Sequence, residues 1–366
     1  MTVLLLFVLG LAALVAGSEL LVRGASKLAI SWGISPLVVG LTVVAFGTSS
    51  PEMAVSVQGA MSGSTDIAIG NVVGSNLFNV LFILGLCAAI VPLAVASQIV
   101  RQEVPIMIAA SLLLVAMTLD GRISRVEAGV LFGLLVAYTA FLVVQSRRAA
   151  GQPVGEDFAR ELLPAATRGW DDRTWVQVAL VAAGLGLLVL GSEWLVSAAV
   201  QFARALGLSE LIIGLTIVAA GTSTPEVAAS LMALRKGERD IAVGNVVGSN
   251  VFNMLGVLGL SGLAAEGGLG VPRSVLAFDL PAMVAVSVAC LPVFLSNRRI
   301  GRWEGAMFLA YYVAYVVWLV LDARGHDALE GYRTVMLYVV IPLTVATLVA
   351  VGWRGARPPG AAEAPR

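Results

Sequence analysis

The sequence is poor in charge, histidine and cysteine. Only 13% of its 366 residues are charged, whereas soluble domains carry about 25%. One histidine and two cysteines are too few for a disulfide framework or a cysteine–histidine metal site. The formal net charge is zero, so nothing indicates a nucleic-acid partner. These absences exclude most soluble classes and argue against a metalloenzyme.

Apolar residues are abundant instead. They make up 58% of the chain, and the mean hydropathy is +0.92. Apolar runs of about 20 residues recur, each long enough to cross a bilayer. The sequence therefore predicts an all-α polytopic membrane protein with eleven spans, at 2–22, 34–58, 66–91, 102–119, 126–145, 175–200, 209–233, 240–264, 275–295, 303–321 and 334–353.

One long polar stretch divides these spans into two groups of five. The predicted units are a first five-helix repeat, a cytoplasmic linker, a second five-helix repeat, an extra C-terminal membrane helix and a tail, at 1–145, 146–173, 174–322, 323–353 and 354–366. The first span has no basic residue before it and no cleavage site soon after it. We therefore expect it to be retained and not removed as a signal peptide.

Lysine and arginine predict the orientation. With the N-terminus outside, all but six of the 23 basic residues fall on the inner side; the six are Arg122, Arg125, Arg204, Arg273, Arg324 and Arg333. The positive-inside rule therefore favours an N-terminus outside and a C-terminus in the cytoplasm, in a plasma (inner) membrane.

A duplicated motif dominates the chain. The strings GTSSPE and GNVVGSNLFN lie within 40–85, and GTSTPE and GNVVGSNVFN lie within 214–259. Corresponding positions lie 174 residues apart without a gap, and a Gly-Ser-Glu string recurs at Gly17 and Gly191. Twin spans are five spans apart, so they cross the membrane in opposite senses. Inverted repeats of this kind are typical of secondary transporters, with the substrate site where the repeats meet.

The GTSSPE motif predicts a broken helix inside the membrane. Pro51 lacks an N–H and its ring clashes with the carbonyl of Gly47. We expect that carbonyl, and the one of Ala45 or Phe46, to leave the helix ladder and line a protein cavity. Thr48 and Glu52 are four residues apart and share a face. The second copy predicts the same arrangement around Pro225.

The ligand types indicate a hard cation. The second motif adds Ser75 and Asn79, and its twin adds Ser249 and Asn253, as neutral oxygen donors. Neither motif contains histidine or cysteine, and oxygen-only sets suit calcium, whose coordination shell is flexible. Two glutamates balance one calcium ion, and the same oxygens would accept several sodium ions in competition with it.

Other acidic residues have plainer interpretations. A structural, protonated glutamate is the alternative for Glu52 and Glu226, but an acid in a membrane span costs at least ~2.5 kcal/mol, and two occur at matched breaks. Glu19 and Glu193 lie in unbroken segments, so a structural or interface role is favoured. Glu103 and Asp279 lie near span starts, where helix capping is favoured over a minor role in ion access.

These paired motifs resemble the alpha repeats of the sodium/calcium exchanger family, of prokaryotic type, within the cation/calcium antiporter superfamily. The resemblance implies ten helices in two inverted halves, with the first and sixth helices sliding against an ion-binding core. It also implies ion ligands at Ala45, Thr48, Ser49, Glu52, Ser75, Asn79, Ala219, Thr222, Ser223, Glu226, Ser249 and Asn253, the two alanines through their carbonyls.

Two departures from the family pattern matter. Asn79 and Asn253 stand where some members carry aspartate, so only two carboxylates remain, which argues against potassium dependence. The eleventh span is additional to the family's ten helices.

The resulting prediction is a secondary antiporter, not an enzyme, that exchanges sodium for calcium with net charge movement and needs no cofactor. Its partners are sodium ions, calcium ions and the lipid bilayer, and the oligomeric state is open, a monomer included. A proton-coupled calcium antiporter is the main alternative, and a passive cation channel fits inverted repeats poorly.

Overall fold

A computed structural model describes residues 2–150, 171, 173–205, 219–295 and 298–346. The helices are α1 Thr2–Trp32, α2 Pro36–Thr48, α3 Ser50–Met61, α4 Thr65–Ile90, α5 Ile99–Met117, α6 Arg125–Ala150, α7 Thr174–Ala205, α8 Ala219–Thr222, α9 Thr224–Arg235, α10 Arg239–Ala264, α11 Val275–Leu295, α12 Arg302–Ala323 and α13 Ala328–Ala346. The two-residue strands are β1 Leu93–Ala94, β2 Arg122–Ile123, β3 Leu269–Gly270 and β4 Arg299–Ile300.

The described residues contain ten candidate membrane spans, nine single helices and the bent pair α2–α3. This confirms the all-α membrane fold. The predicted seventh span at 209–233 is only partly covered, by α8 and α9, and its first part lies outside the described residues. The last span starts at Ala328, earlier than the predicted residue 334.

Helix α1 is ten residues longer than predicted. It continues past Arg23 and Lys27 to Trp32, and both cations bond to one carboxylate, at Asp171. The helix ends where Gly33 adopts a φ of +63°. The N–H of Ile34 then donates to the carbonyl of Ala29, a glycine-dependent helix termination.

The two repeats are joined by short strands. β1 pairs antiparallel with β4, and β2 pairs antiparallel with β3. Each sheet therefore combines one strand from each repeat, and the two sheets are related by the repeat symmetry. The pairing supports a two-fold arrangement, since the strand after the central helix of each repeat pairs with the strand before the last helix of the other.

The core forms around α4 and α10, the twin helices that carry GNVVGSN. In the most apolar 18-residue stretch of each helix, 100% of the residues are buried in α10, 72% in α4 and 0% in α13. These two helices thus stand at the centre, with their polar side chains enclosed by protein.

Short π-helical segments interrupt several spans at matched places. They include Phe78–Leu84 and Asn253–Val257 in the central helices, and Ile99–Glu103 and Val275–Asp279 at the starts of α5 and α11. A π turn widens the helix and changes the direction of its side chains, and such turns are frequent at functional sites. Both predicted asparagine ligands lie in one.

Helix α13 is peripheral. It contacts α12 through the Tyr332 hydroxyl, which donates to the carbonyl of Ala314 at 2.7 Å, and through a hydrogen bond between Tyr311 and Thr344. Its described apolar side chains are largely exposed, as Tyr338 shows at 77%. In a bilayer these side chains face lipid, so α13 adds a span without adding to the core.

Candidate ion-binding site

Both repeats break a helix at the same point. The α2 and α3 axes differ by 46° around Ser49, and Ser223 separates α8 from α9. The two serines have φ of −81° and −90° and ψ of 9° and 11°, in the sparsely populated bridge region. Pro51 and Pro225 follow within the first turn of the next helix. The breaks predicted from these prolines are present.

The two glutamates are fully buried and bonded across the repeats. Glu52 and Glu226 are both 0% exposed. The Ser223 hydroxyl donates to Glu52 Oε1 at 2.8 Å, and the Ser49 hydroxyl donates to Glu226 Oε1 at 3.2 Å. Each serine lies three residues before the glutamate of its own repeat. The two breaks therefore face each other, as a shared pocket requires.

The backbone carbonyls behave differently from one another. The Ala45 carbonyl accepts the Ser49 N–H at 3.0 Å, so it stays in the helix ladder and its predicted release is excluded. The Phe46 carbonyl accepts the Ser50 hydroxyl at 3.1 Å. The Thr48 hydroxyl lies 3.4 Å from the Ala45 oxygen as well, and Ala45 as an ion ligand stays a prediction. Ala219 begins α8, and its carbonyl also stays a prediction.

The two threonines contact asparagines of the opposite repeat. The Thr48 hydroxyl donates to Asn245 Oδ1 at 3.1 Å, and the Thr222 hydroxyl donates to Asn71 Oδ1 at 3.4 Å. Neither asparagine was among the predicted site residues. Each also supports its own repeat, since Asn71 donates to the carbonyl of Glu52 at 3.1 Å and Asn245 to that of Glu226 at 3.4 Å.

A second asparagine pair orients the predicted amide ligands. Asn79 Nδ2 donates to Asn250 Oδ1 at 3.0 Å, and Asn253 Nδ2 donates to Asn76 Oδ1 at 3.1 Å. Asn76 and Asn250 also bond to each other's backbone carbonyls, at 3.3 and 3.4 Å. The amide nitrogens of the predicted ligands are thereby occupied, which leaves their oxygens turned to other partners.

Several buried oxygens of the site have no hydrogen-bond partner among the described residues. They are Glu52 Oε2, Glu226 Oε2, Asn79 Oδ1, Asn253 Oδ1 and Ser249 Oγ. Buried polar atoms are normally paired, and one without a partner needs an explanation such as a bound ion. All five belong to the predicted ligand set. Ser75 differs, since its hydroxyl lies 3.1 Å from the Ser223 hydroxyl oxygen and can donate to it, while the Ser223 proton is donated to Glu52.

These five oxygens are all hard donors. The described residues contain no cluster of three or more His, Cys, Asp or Glu side chains. A bound cation would therefore be held by two carboxylates and neutral oxygens, which suits calcium or sodium better than a transition metal.

The supporting asparagines could have been found from the sequence. Asn71 and Asn76 lie within GNVVGSN, and their twins Asn245 and Asn250 are identical. A buried amide in a membrane span is costly without partners, so its repetition was the signal.

Two further acids are not helix caps, contrary to expectation. The Tyr138 hydroxyl donates to Glu103 at 2.6 Å, and the Tyr315 hydroxyl donates to Asp279 at 2.9 Å. One helical turn further on, Met107 contacts Asn250, and its counterpart Met283 contacts Asn76. These acid–tyrosine pairs tie α5 to α6 and α11 to α12, outside the asparagine layer.

The fold and the site together define a class. Two repeats meet at buried carboxylates on broken helices, with unpaired hard oxygens around them, an arrangement typical of secondary transporters. The sequence model of the family described as "Sodium/calcium exchanger protein" matches residues 2–144 and 176–321. The chain therefore belongs to this family, which is a family of transporters.

Curated relatives agree. The chain is 34% identical to "Sodium/calcium exchanger MaX1" of Methanosarcina acetivorans, covering 86% of this chain and 97% of that one. It is 39% identical to "Putative antiporter CaxA" of Alkalimonas amylolytica, covering 86% and 98%. It is 36% identical to "Inner membrane protein YrbG" of Escherichia coli, covering 86% and 95%.

Solved structures agree as well. The sodium-calcium exchanger NCX_Mj, soaked with sodium and calcium ions, superposes with a TM-score of 0.73 and 29% identity. The match covers 87% of this chain and 98% of that one.

Proposed function

We propose that this protein exchanges sodium ions for a calcium ion across the plasma membrane by alternating access, with sodium entering as calcium leaves. The ion ligands would be Glu52 and Glu226 together with the hydroxyl, amide and carbonyl oxygens predicted with them. The proposed transport needs no resident cofactor. One chain supplies the whole ligand set.

The observation that carries the proposal is the set of unpaired oxygens. One oxygen of each glutamate and three neutral oxygens are buried without partners among the described residues, and the two glutamates provide a charge of −2 when ionised. One calcium ion neutralises that charge, and sodium ions of similar ligand preference compete for the same oxygens. Because sodium and calcium cannot occupy this site together, they are exchanged, provided that the protein does not switch between its outward- and inward-facing states with the site empty.

Relatives support sodium as the coupling ion. The names of MaX1 and NCX_Mj specify sodium and calcium exchange. The names of CaxA and YrbG specify no ion. The second candidate is thus a proton-coupled calcium antiporter, in which a glutamate would carry a proton where sodium is proposed here.

Purified protein in sodium-loaded liposomes tests the proposal. Dilution into sodium-free buffer should drive calcium uptake, and loading with choline in place of sodium should abolish it at constant pH. Glu52→Gln and Glu226→Gln should each reduce uptake to background, because each removes one of two charges that balance the ion. The matched control is Glu127→Gln, since Glu127 caps α6 through the Ser124 N–H and should transport normally.

The outcomes separate the two candidates. Uptake that persists in choline-loaded liposomes and follows an imposed pH gradient would replace sodium by protons. Normal uptake by either glutamate variant would show that the ions bind elsewhere.

The orientation follows from the basic residues. With the N-terminus outside, Glu19 and Lys236 lie towards the cytoplasmic side, as do Arg23 and Lys27. Reporter fusions should place residue 366 in the cytoplasm and the Ser62–Ser64 turn outside.

A further inference from the structure

The Gly-Ser-Glu strings at Gly17 and Gly191 have no part in the ion site. They lie on α1 and α7, which pack along each other. A Cβ on Gly10 would lie 2.9 Å from Gly191 O, and one on Gly17 would lie 2.8 Å from Gly184 O. Since Gly184 and Gly191 are the twins of Gly10 and Gly17, this helix pair obeys the repeat symmetry internally.

The ion-binding core obeys the same symmetry. Most of its paired contacts have twins, as in Thr48 with Asn245 and Thr222 with Asn71. The Ser223–Ser75 contact is an exception, since Ser249 has no partner among the described residues. The strand pairs β1–β4 and β2–β3 are also twins. The molecule thus contains two bodies, the α1–α7 pair and the core, each close to two-fold symmetric.

The contacts between these bodies break the symmetry. The Ser192 hydroxyl on α7 donates to the carbonyl of Gly221 at 2.5 Å. Gly221 lies four residues before Pro225, so its carbonyl is the one that the proline cannot serve. The twin hydroxyl, on Ser18, donates instead to Val15 of its own helix at 3.0 Å. No side chain of the described residues donates to the carbonyl of Gly47.

The glutamates of the two strings show the same bias. Glu19 Oε1 lies 2.6 Å from Lys236 Nζ, just after α9 ends. Glu193 is exposed, and the twin of Lys236 is Ser62, which has no charge. Both strings therefore attach the helix pair to the seventh span, and neither attaches it in this way to the second.

We propose that Ser192 and Ser18 are positioning residues that serve the two proline-freed carbonyls in turn. In the state described here Ser192 binds the carbonyl of Gly221. In the opposite-facing state Ser18 binds the carbonyl of Gly47, and Ser192 returns to Val189 of its own helix, the twin of Val15. The inference rests on the proposed alternating access.

This alternation of the two serine hydrogen bonds keeps the two conformational states close in free energy. Each state has one hydroxyl bound to a freed carbonyl and one bound within its own helix. Because the same bonds are made on both sides, the shift loses no hydrogen bond overall, and ions can select either state by modest differences in affinity. The Glu19–Lys236 pair has no counterpart, so it favours the state described here.

Hydrogen–deuterium exchange of the full-length protein in ion-free nanodiscs tests this. Ser192→Ala should speed exchange in peptides containing Gly221 and slow it in peptides containing Gly47, by roughly fivefold, the effect of one hydrogen bond on the population. Ser18→Ala should change both peptides in the opposite direction, and the double variant should restore the wild-type ratio.

A purely structural role would give a different result. Two serines that only stabilise the fold would speed exchange in the same direction when replaced, and that result would overturn the proposal. So would unchanged exchange in Ser192→Ala. Glu19→Gln should act like Ser192→Ala, and the matched control Glu193→Gln should leave both peptides at the wild-type rate.

The readout does not depend on transport. Opposite shifts in a protein that fails to exchange calcium for sodium would support the serine switch and reject the proposed function. Normal transport, with exchange rates that change in the same direction in both serine variants, would support the proposed function and reject the serine switch.

Discussion

At the scale of single residues, the hydroxyls that donate to the buried glutamates come from the opposite repeat. Ser223 serves Glu52 and Ser49 serves Glu226, so neither repeat completes its own carboxylate. Because each carboxylate is bonded by the opposite repeat, the site forms only when the two repeats pack together. A change at one break should therefore be felt by the carboxylate of the other.

Ser223→Ala should weaken calcium binding by about ten- to a hundredfold, since a hydrogen bond to a charged group is worth about 1.5–3 kcal/mol. Ser49→Ala should reduce calcium affinity less, because the Ser49 hydroxyl lies 3.2 Å from Glu226, against 2.8 Å from the Ser223 hydroxyl to Glu52. Calorimetric titration of both variants with calcium measures the difference. Equal affinities in both variants and the wild type would show that the hydroxyls do not contribute.

The full ligand set is implied by the resemblance to the exchanger family, whereas the duplicated strings alone indicate Thr48, Glu52, Ser75, Asn79 and their twins. The duplicated asparagines can be recognised in the same strings, but the residue that each contacts in the other repeat cannot be predicted. That Asn245 meets Thr48 depends on how two distant segments pack, and no local pattern carries this information. Ala45 shows the same limit, since clash geometry at Pro51 suggested a released carbonyl that the Ser49 N–H in fact occupies.

At the scale of helices, the glycines at the two breaks receive side chains of α7. A Cβ on Gly47 would lie 2.4 Å from Leu185 Cδ1, and one on Gly221 would lie 2.1 Å from Val196 Cγ2. Leu185 and Val196 are eleven residues apart and share a helix face. One face of α7 therefore covers both breaks.

Gly221→Ala should destabilise the protein by about 1–3 kcal/mol, the usual cost of overpacking. Gly47→Ala should cost less, because leucine can rotate away whereas valine is stiff at χ1. Thermal unfolding in detergent compares the variants. The control is Gly186→Ala, an exposed neighbour on α7 with no described atom within 4 Å of the added Cβ. A Gly221→Ala variant as stable as the control would contradict the packing described.

A second contact between elements has a pH signature. Lys27 and Arg23 bond to Asp171 at 2.5 and 2.7 Å, and these bonds lower the pKa of Asp171 to about 2. A carboxyl whose pKa falls on folding stabilises the protein above its unfolded pKa, and the stabilisation disappears as the pH falls through the folded value. The window for Asp171 is therefore about pH 4 to pH 2.

Asp171→Asn should lower the midpoint of thermal unfolding at pH 7, and the gap from the wild type should narrow as the pH falls below about 4. The control is Asp120→Asn, since the Asp120–Arg122 pair is 3.6 Å apart with both side chains mostly exposed, and such pairs contribute little. A gap that stays constant down to pH 2 would show that ionised Asp171 does not stabilise the fold.

At the scale of the whole molecule, symmetry explains what the sequence could and could not predict. The identical strings 174 residues apart imply two inverted halves, and the opposed senses of twin spans follow from their odd separation. The asymmetric contacts of Ser18 and Ser192 do not follow, because identical strings have identical local preferences. Which copy bonds across depends on the conformational state, and a sequence is the same in every state.

The net charge of the cycle gives a last prediction. The two carboxylates hold a charge of −2, which one calcium ion balances, but exchange for more than two sodium ions moves positive charge with sodium. Calcium uptake into sodium-loaded liposomes then carries positive charge outward, so an interior-positive potential should accelerate it. External potassium with valinomycin imposes that potential, and calcium uptake is the measurement.

The same potassium without valinomycin is the control, and it should have no effect because Asn79 and Asn253 provide no third carboxylate. Uptake that ignores the potential would mean that two sodium ions exchange for each calcium ion.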